Sequence, residues 1–508
     1  MNLAAALRGR AVEHGFLGRP ALVVDERTFT HGEIHDGGAR TASLLAALGV
    51  GPGDAVLLAL PDGVELAWAF LGAVGLGALA VPVDPQLPAA DHRALAEDCG
   101  AGVVLAPAEL ADRFDQPVVT TAALAARVVA LAPRRPVSID AGAPAYAQYT
   151  SGTTGRPRAA VHRHGDPLVY ADAFARPALQ LGPDDVVLSV SKMFFAYGLG
   201  NSLLFPLRTG ARAVVHPGRP SPEDVTGLVA RHHVTVLFAV PTFYANLVRH
   251  GPPAAGLTSL RVAVSAGERL PPALAERTAH LLGCPVLDSL GTTEVGQAFV
   301  AGTLGSARAG TIGRALPPYE VAVRDDAGND LPAGVTGTLW VRGPTVLVEY
   351  LGQPEATAAS FDGAWLRTGD RASIDEDGFV SHHGRVDDME MVGGVTVAPQ
   401  EVEEVLCTHP AVSEVAVAAV LDGYGASRLR AFVVPAPGVE ADEWLRVELD
   451  DLARSRLARF KVPRSVAFVD ALPRTPTGKL RRFLLRSDPG AGPGGSQGQP
   501  MLGEHSSR

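Results

Sequence analysis

Lysine is nearly missing from this 508-residue chain: among 44 basic residues, only Lys192, Lys461 and Lys479 are lysines. Codon usage accounts for the arginine excess, and against it a persisting lysine points to a position that needs a compact ammonium rather than a planar fork. Cysteine is equally scarce. Cys99, Cys284 and Cys407 lie far apart, with no CxxC and no nearby histidine spacing. A disulfide framework and a zinc site are thereby excluded, and a reducing, cytoplasmic setting is expected. Charged residues make up 19 % of the chain, against roughly 25 % in ordinary domains. The net charge is −10 without any basic run, so nucleic acid is not an expected partner. Long apolar runs are also lacking, apart from the uncharged stretch 66–83, which ends at Pro82-Val83. Its eighteen residues reach only the lower limit of a membrane span. They read as a buried helix running into a buried strand, and no membrane association is expected.

What the chain does have is length and apolar content, 47 % hydrophobic over about three domains' worth of residues. Through the first 300 residues, short apolar runs (AVLLAL, ALAVPVD, ARAVVHP, VTVLFAV, LRVAVSAGE) alternate with helical patterns. That rhythm predicts parallel strands with crossover helices, an α/β fold whose ligand loops follow the strand ends. From about 310 to 384 it gives way to strand pairs with hairpin turns at Asp326–Asn329 and Asp375–Gly378. A smaller α+β unit follows. The expected division is a large domain over 1–384, a small one over 385–488, and a Gly/Pro/Ser-rich disordered tail over 489–508.

The strongest local signal is YTSGTTGRPR, residues 149–158. Small side chains and closely spaced backbone N–H groups suit a loop that wraps phosphate oxygens; it follows an apolar strand and is expected to lead into a helix. It is not a P-loop, because GxxxxGK[ST] is absent. With SAGE (265–268), LGTTE (290–294), LRTGD (366–370), GRVDDMEMVGG (384–394) and PRTPTGKLRR (473–482) in order behind it, the chain resembles the adenylate-forming superfamily of acyl-CoA synthetases, adenylation domains and luciferases. KMFFAYGLGNSLLFPL, residues 192–207, is similar to the benzoate-CoA ligase branch.

The resemblance implies a large N-terminal domain of parallel α/β subdomains with a small β-rich subdomain, followed by a small mobile C-terminal domain. It also implies ATP-dependent activation of an aromatic carboxylic acid as an acyl-adenylate, with pyrophosphate released, then transfer to CoA or, alternatively, to a carrier-protein phosphopantetheine or another small nucleophile. Thr150, Ser151, Gly152, Thr153, Thr154, Gly155 and Arg158 would hold the outer phosphates, with Thr293 on the α-phosphate and Mg²⁺ on Glu294 and Thr154. Ala266, Gly267, Glu268, Asp288, Ser289, Leu290, Gly291 and Thr292 would line the nucleotide. Asp370 would accept the ribose hydroxyls, Arg385 would contact the nucleotide, and Lys479 would bridge the carboxylate and α-phosphate. Asp387 matches the hinge. Phe194, Phe195, Ala196, Tyr197, Gly198, Ala266 and Gly291 suggest a flat slot for a ring, and the lack of an acid within FFAYGLG disfavours an amino-acid substrate. His162 and His164 read as structural or surface residues. Two departures stand out: Arg158 replaces the usual lysine, and Glu390-Met391 stands where benzoate-CoA ligases commonly carry Leu-Lys. A homodimer is the default oligomer.

Overall fold

Strands such as Val236–Ala239 (VLFA) and Val262–Ser265 (VAVS) are buried at every position. A strand apolar on both faces needs cover on both sides, and parallel pairing with crossover helices supplies it. The computed structural model describes residues 1–150, 157–385, 390–392, 395–421, 427–474 and 480–487. It divides the chain into two compact units, Met1–His383 and Gly384–Arg508.

The first unit is α/β. Among the described residues it holds a nine-stranded and a six-stranded sheet. In the first, Val286–Gly291, Val262–Ser265, Val236–Ala239, Val186–Ser189, Arg212–Val215 and Pro20–Val24 run parallel as neighbours. In the second, the parallel strands are Val118–Thr120, Ala101–Ala106, Ala55–Leu58, Leu79–Pro82 and Pro144–Thr150. The stretch 66–83 contributes the buried helix Val64–Gly75 and the buried strand Leu79–Pro82. No helix among the described residues is long and apolar enough to cross a membrane.

One local expectation fails. The segment after the glycine-rich loop is a strand, Arg158–Arg163, paired antiparallel with Pro144–Thr150 so that Thr150 faces Arg158. Its central AAVH residues are all buried. Contiguous burial of this kind suits a strand covered on both faces better than an amphipathic helix.

An antiparallel sheet follows, with Glu320–Arg324, Gly337–Arg342 and Trp365–Ile374 in line and Val380–Arg385 pairing with the last. Its outer face carries a cation–π cluster, Arg324 lying over both Trp340 and Trp365. The second unit sets the helices Pro399–Cys407, Glu443–Arg456 and Arg482–Ser487 beside a sheet of Val412–Leu421, Ser427–Pro435 and Ser465–Phe468.

Candidate active site

Open α/β sheets place ligands beyond the carboxyl ends of their strands, and the sequence motifs fall there. The strand Val262–Ser265 runs into Ala266, Gly267 and Glu268; Val286–Gly291 runs into Thr292, Thr293 and Glu294. Neighbouring parallel strands thus carry both motifs to one edge.

The turn that follows Gly291 is held from several sides. A Cβ on Gly291 would sit 2.8 Å from the Gln297 backbone, so the turn closes only with glycine there. The Glu294 carboxylate accepts hydrogen bonds from Tyr350 Oη (2.9 Å) and from Thr292 Oγ1. Burial, reinforced by that carboxylate, pushes the Tyr350 phenol well up, so it remains a donor. The Arg158 guanidinium lies 5.4 Å from the Tyr350 ring centre, which brings the end of the glycine-rich hairpin to the same carboxylate.

His162 is fully buried, not on the surface. Its Nε2 donates to the Thr293 carbonyl at 2.7 Å, and its Nδ1 faces Asp166 Oδ2 at 3.3 Å. His164 is equally buried. Its Nδ1 accepts the Leu3 N–H, and burial lowers its pKa to about 4, so it is a neutral structural residue.

Beside this turn the side of Tyr197 comes into place. Its hydroxyl donates to the Val264 carbonyl (3.3 Å), its ring packs edge-on to Phe238 at 6.0 Å, and its carbonyl accepts from Gln297 Nε2 at 3.4 Å. Gln297, buried and absent from the motifs, therefore touches Tyr197 and packs against Gly291. Phe194 and Phe195 pack edge-on, 4.7 Å apart, at the start of the same loop. Ala196 and Gly198 complete it, Gly198 so close that a Cβ would meet the Lys192 carbonyl at 2.0 Å.

On the other side lies a cavity of about 220 Å³, lined by Arg269, Asp288, Ile312 and His382 among others. Asp288 is pushed up to about 8 by burial, with its Oδ1 accepting the Ser289 N–H. Ser289 Oγ donates to the Ser265 carbonyl, tying the two motif strands together. His382 reaches the buried Asp370, Nε2 to Oδ1, at 3.2 Å. The Glu268 carboxylate is engaged at the start of the helix Pro241–His250, accepting from Thr242 N and Oγ1; a carboxylate is favourable at that end of a helix.

Ser151, Gly152, Thr153, Thr154, Gly155, Asp387 and Lys479 lie outside the described residues. Arg385 closes the strand Val380–Arg385 and belongs to the second unit. There Glu390 is buried and paired with Arg486 at 2.9 Å, so its carboxylate is neutralised within its own unit. Sequence patterns did not disclose Tyr350, His162, Gln297 or His382, because each meets its partner only through tertiary packing.

Comparison with known proteins agrees with this geometry. The AMP-binding enzyme family matches residues 9–351, and the AMP-binding enzyme C-terminal domain matches residues 401–479. A p-hydroxybenzoic acid–AMP ligase, FadD22 of Mycobacterium tuberculosis, is 44 % identical over 96 % of this chain and 68 % of its own length. The benzoate–CoA ligase of Thauera aromatica is 36 % identical over 96 % of both chains. The crystal structure of a benzoate CoA ligase from Burkholderia xenovorans superimposes with a TM-score of 0.89, at 36 % identity over 96 % of this chain and all of the other. With a matching fold, ordered motifs and a family match over most of its length, the chain belongs to the AMP-binding, adenylate-forming enzymes, near their benzoate-CoA ligase branch.

Proposed function

We propose that this enzyme activates a benzoate-like carboxylic acid with ATP and transfers the acyl group to CoA. The observation that carries this reading is the shared turn from Gly291 to Gln297. Its first part presents Thr293 and the Glu294 carboxylate, while Gln297 closes it against Tyr197. One short segment thus joins an aromatic-lined slot to a site with groups suited to phosphate and metal. The aromatic acids named for the relatives, benzoate and p-hydroxybenzoate, fit a slot of this composition. The match to benzoate–CoA ligase along 96 % of both chains supports CoA as the acceptor.

In the first step a carboxylate oxygen attacks the α-phosphorus of ATP, and the bond to the departing pyrophosphate breaks. In the second, a thiol sulfur attacks the acyl carbon and AMP leaves with the oxygen it gained. The residues bind and orient. Thr293, its carbonyl fixed by His162, would contact the α-phosphate. Asp370 would take the ribose hydroxyls, and Lys479 would supply the cation between the two anions that must meet. Among the described residues there is no cluster of three or more acidic, histidine or cysteine side chains able to cage a metal. A single oriented carboxylate, Glu294, fits Mg²⁺, which keeps several waters and is shared with substrate phosphates. When bound, that ion would neutralise charge on the departing pyrophosphate. The small unit would turn about Asp387 between the two steps. The cytoplasmic, homodimeric setting expected from the sequence belongs to the same proposal.

The test is product analysis with ATP, Mg²⁺ and a panel of benzoates, with and without CoA. The reading expects aryl-CoA, AMP and pyrophosphate in equal amounts when CoA is present. Aryl-dependent pyrophosphate release without any thioester would exclude CoA as the acceptor.

A further inference from the structure

Lys192, one of three lysines in the chain, is 7 % exposed and has no part in the chemistry above. Its Nζ donates to the His216 carbonyl at 2.6 Å and lies 3.9 Å from Asp62 Oδ2. Asp62, 2 % exposed, accepts the backbone N–H of Met193 through Oδ1 at 2.8 Å. These groups come from three strand ends. Asp62 follows Ala55–Leu58 of the six-stranded sheet; Lys192 and His216 follow Val186–Ser189 and Arg212–Val215 of the nine-stranded sheet. The pair therefore pins the first residues of the aromatic loop between the two sheets.

The loop itself is folded tightly onto this anchor. The Lys192 carbonyl accepts the Phe195 N–H at 2.9 Å and packs against Gly198; Leu199 N–H in turn bonds the Phe195 carbonyl at 2.8 Å. Any shift of Lys192 is thus passed to Phe195 and Tyr197. A buried ion pair is a poor source of net stability, because desolvating both charges offsets their attraction. Burial raises Asp62 to about 6 with the ammonium beside it, the direction expected of a desolvated carboxylate. The presence of the pair is better explained by geometry: an ammonium can bridge a carbonyl and a carboxylate in a space where a guanidinium fork would not fit.

We propose that Lys192, held by Asp62 and the His216 carbonyl, is a positioning residue for acyl-substrate recognition, fixing the Phe194–Tyr197 loop that shapes the ring slot. This rests on the aryl-acid ligase reading.

The experiment measures aryl-acid-dependent ATP–pyrophosphate exchange for wild type, Lys192→Met and the double variant Asp62→Asn/Lys192→Met, with KM determined separately for acid and for ATP. The double variant leaves no lone buried carboxylate, so it carries the test if the single variant does not fold. Both lack the tie to His216, and both are expected to raise the KM for the acid about tenfold, the scale of a small misplacement near a site. KM for ATP should stay within about twofold, since the nucleotide contacts lie elsewhere, and discrimination between benzoate and ring-substituted benzoates should narrow. An unchanged KM for the acid overturns the proposal. So does a parallel change in both constants, which would mark Lys192 as a general structural residue. A wild type that shows no aryl-dependent exchange overturns the ligase reading and this inference with it, before any variant is compared.

Discussion

The two ends of the site are built differently. At the proposed acyl end the residues are aromatic or small, Phe194, Phe195, Tyr197 and Ala266, and Asp62 and Lys192, which hold the start of that loop, are buried and paired. At the nucleotide end carboxylates stand in the site itself: Glu294 takes hydroxyl donors from Thr292 and Tyr350, Asp370 meets His382, and Asp288 borders the cavity. On the proposed reading the first end would select by shape, where a misplaced methyl group is the main penalty. The second selects by hydrogen bonds and charge, where an unpaired donor or acceptor is the penalty. The contrast means that a change at one end should move one Michaelis constant and leave the other nearly still.

The largest effect is expected from the cation proposed to stand between the two anions. Lys479→Ala should lower the rate of adenylation by about a thousandfold, the scale of removing a charge-stabilising group, while ATP affinity by calorimetry stays within about threefold. Adenylation at the wild-type rate would remove Lys479 from the mechanism and leave the two ends without their proposed link.

A pair of substitutions sharpens the contrast directly. Phe195→Ala removes one ring of the edge-on Phe194–Phe195 pair, 4.7 Å apart; KM for the acid should rise about tenfold on the scale of a small misplacement. Asp370→Asn should instead raise KM for ATP about tenfold by weakening charge-assisted hydrogen bonds to the ribose. Steady-state kinetics with each substrate varied in turn checks both. Equal effects on both constants in either variant would break the comparison.

The smallest effect is on stability. Asp288 has its pKa raised from 3.8 to about 8, chiefly by burial. Folded protein therefore holds this proton where the unfolded chain has released it, and the contribution to stability declines as pH rises from about 4 to about 8. Asp288→Asn should raise the melting temperature at pH 8 and leave it nearly unchanged at pH 4. A difference that is the same at both pH values would show that Asp288 does not titrate in this way.

Part of the proposed site was legible in the sequence because two of its motifs are local: SAGE and LGTTE each continue one strand, and the parallel pairing of those strands carries both to one edge. The alternation of short apolar runs gave the α/β class for the same reason. The helix expected after the glycine-rich loop was wrong, since AAVH is a doubly covered strand rather than one face of a helix. What stayed hidden depends on long-range pairs. Tyr350 reaches Glu294 across 56 residues, and His162 reaches Thr293 across 131; no spacing rule joins them. His162 looked unpartnered for this reason, and it proves to hold the Thr293 carbonyl in the turn after Val286–Gly291. Glu390, noted only as a departure from the usual Leu-Lys, is paired with Arg486, nearly a hundred residues on. Lys192 is the exception. Its partners were hidden, but the rarity of lysine marked the position.

The most direct test of the account is ATP–pyrophosphate exchange by the wild-type enzyme with acids matched in size, benzoate, 4-hydroxybenzoate, cyclohexanecarboxylate and hexanoate. The proposed slot beside Tyr197 and Gln297 predicts that the flat acids support exchange at least about tenfold better than the saturated ring or the open chain, one to a few kcal/mol of shape discrimination. Equal or better exchange with hexanoate would contradict it.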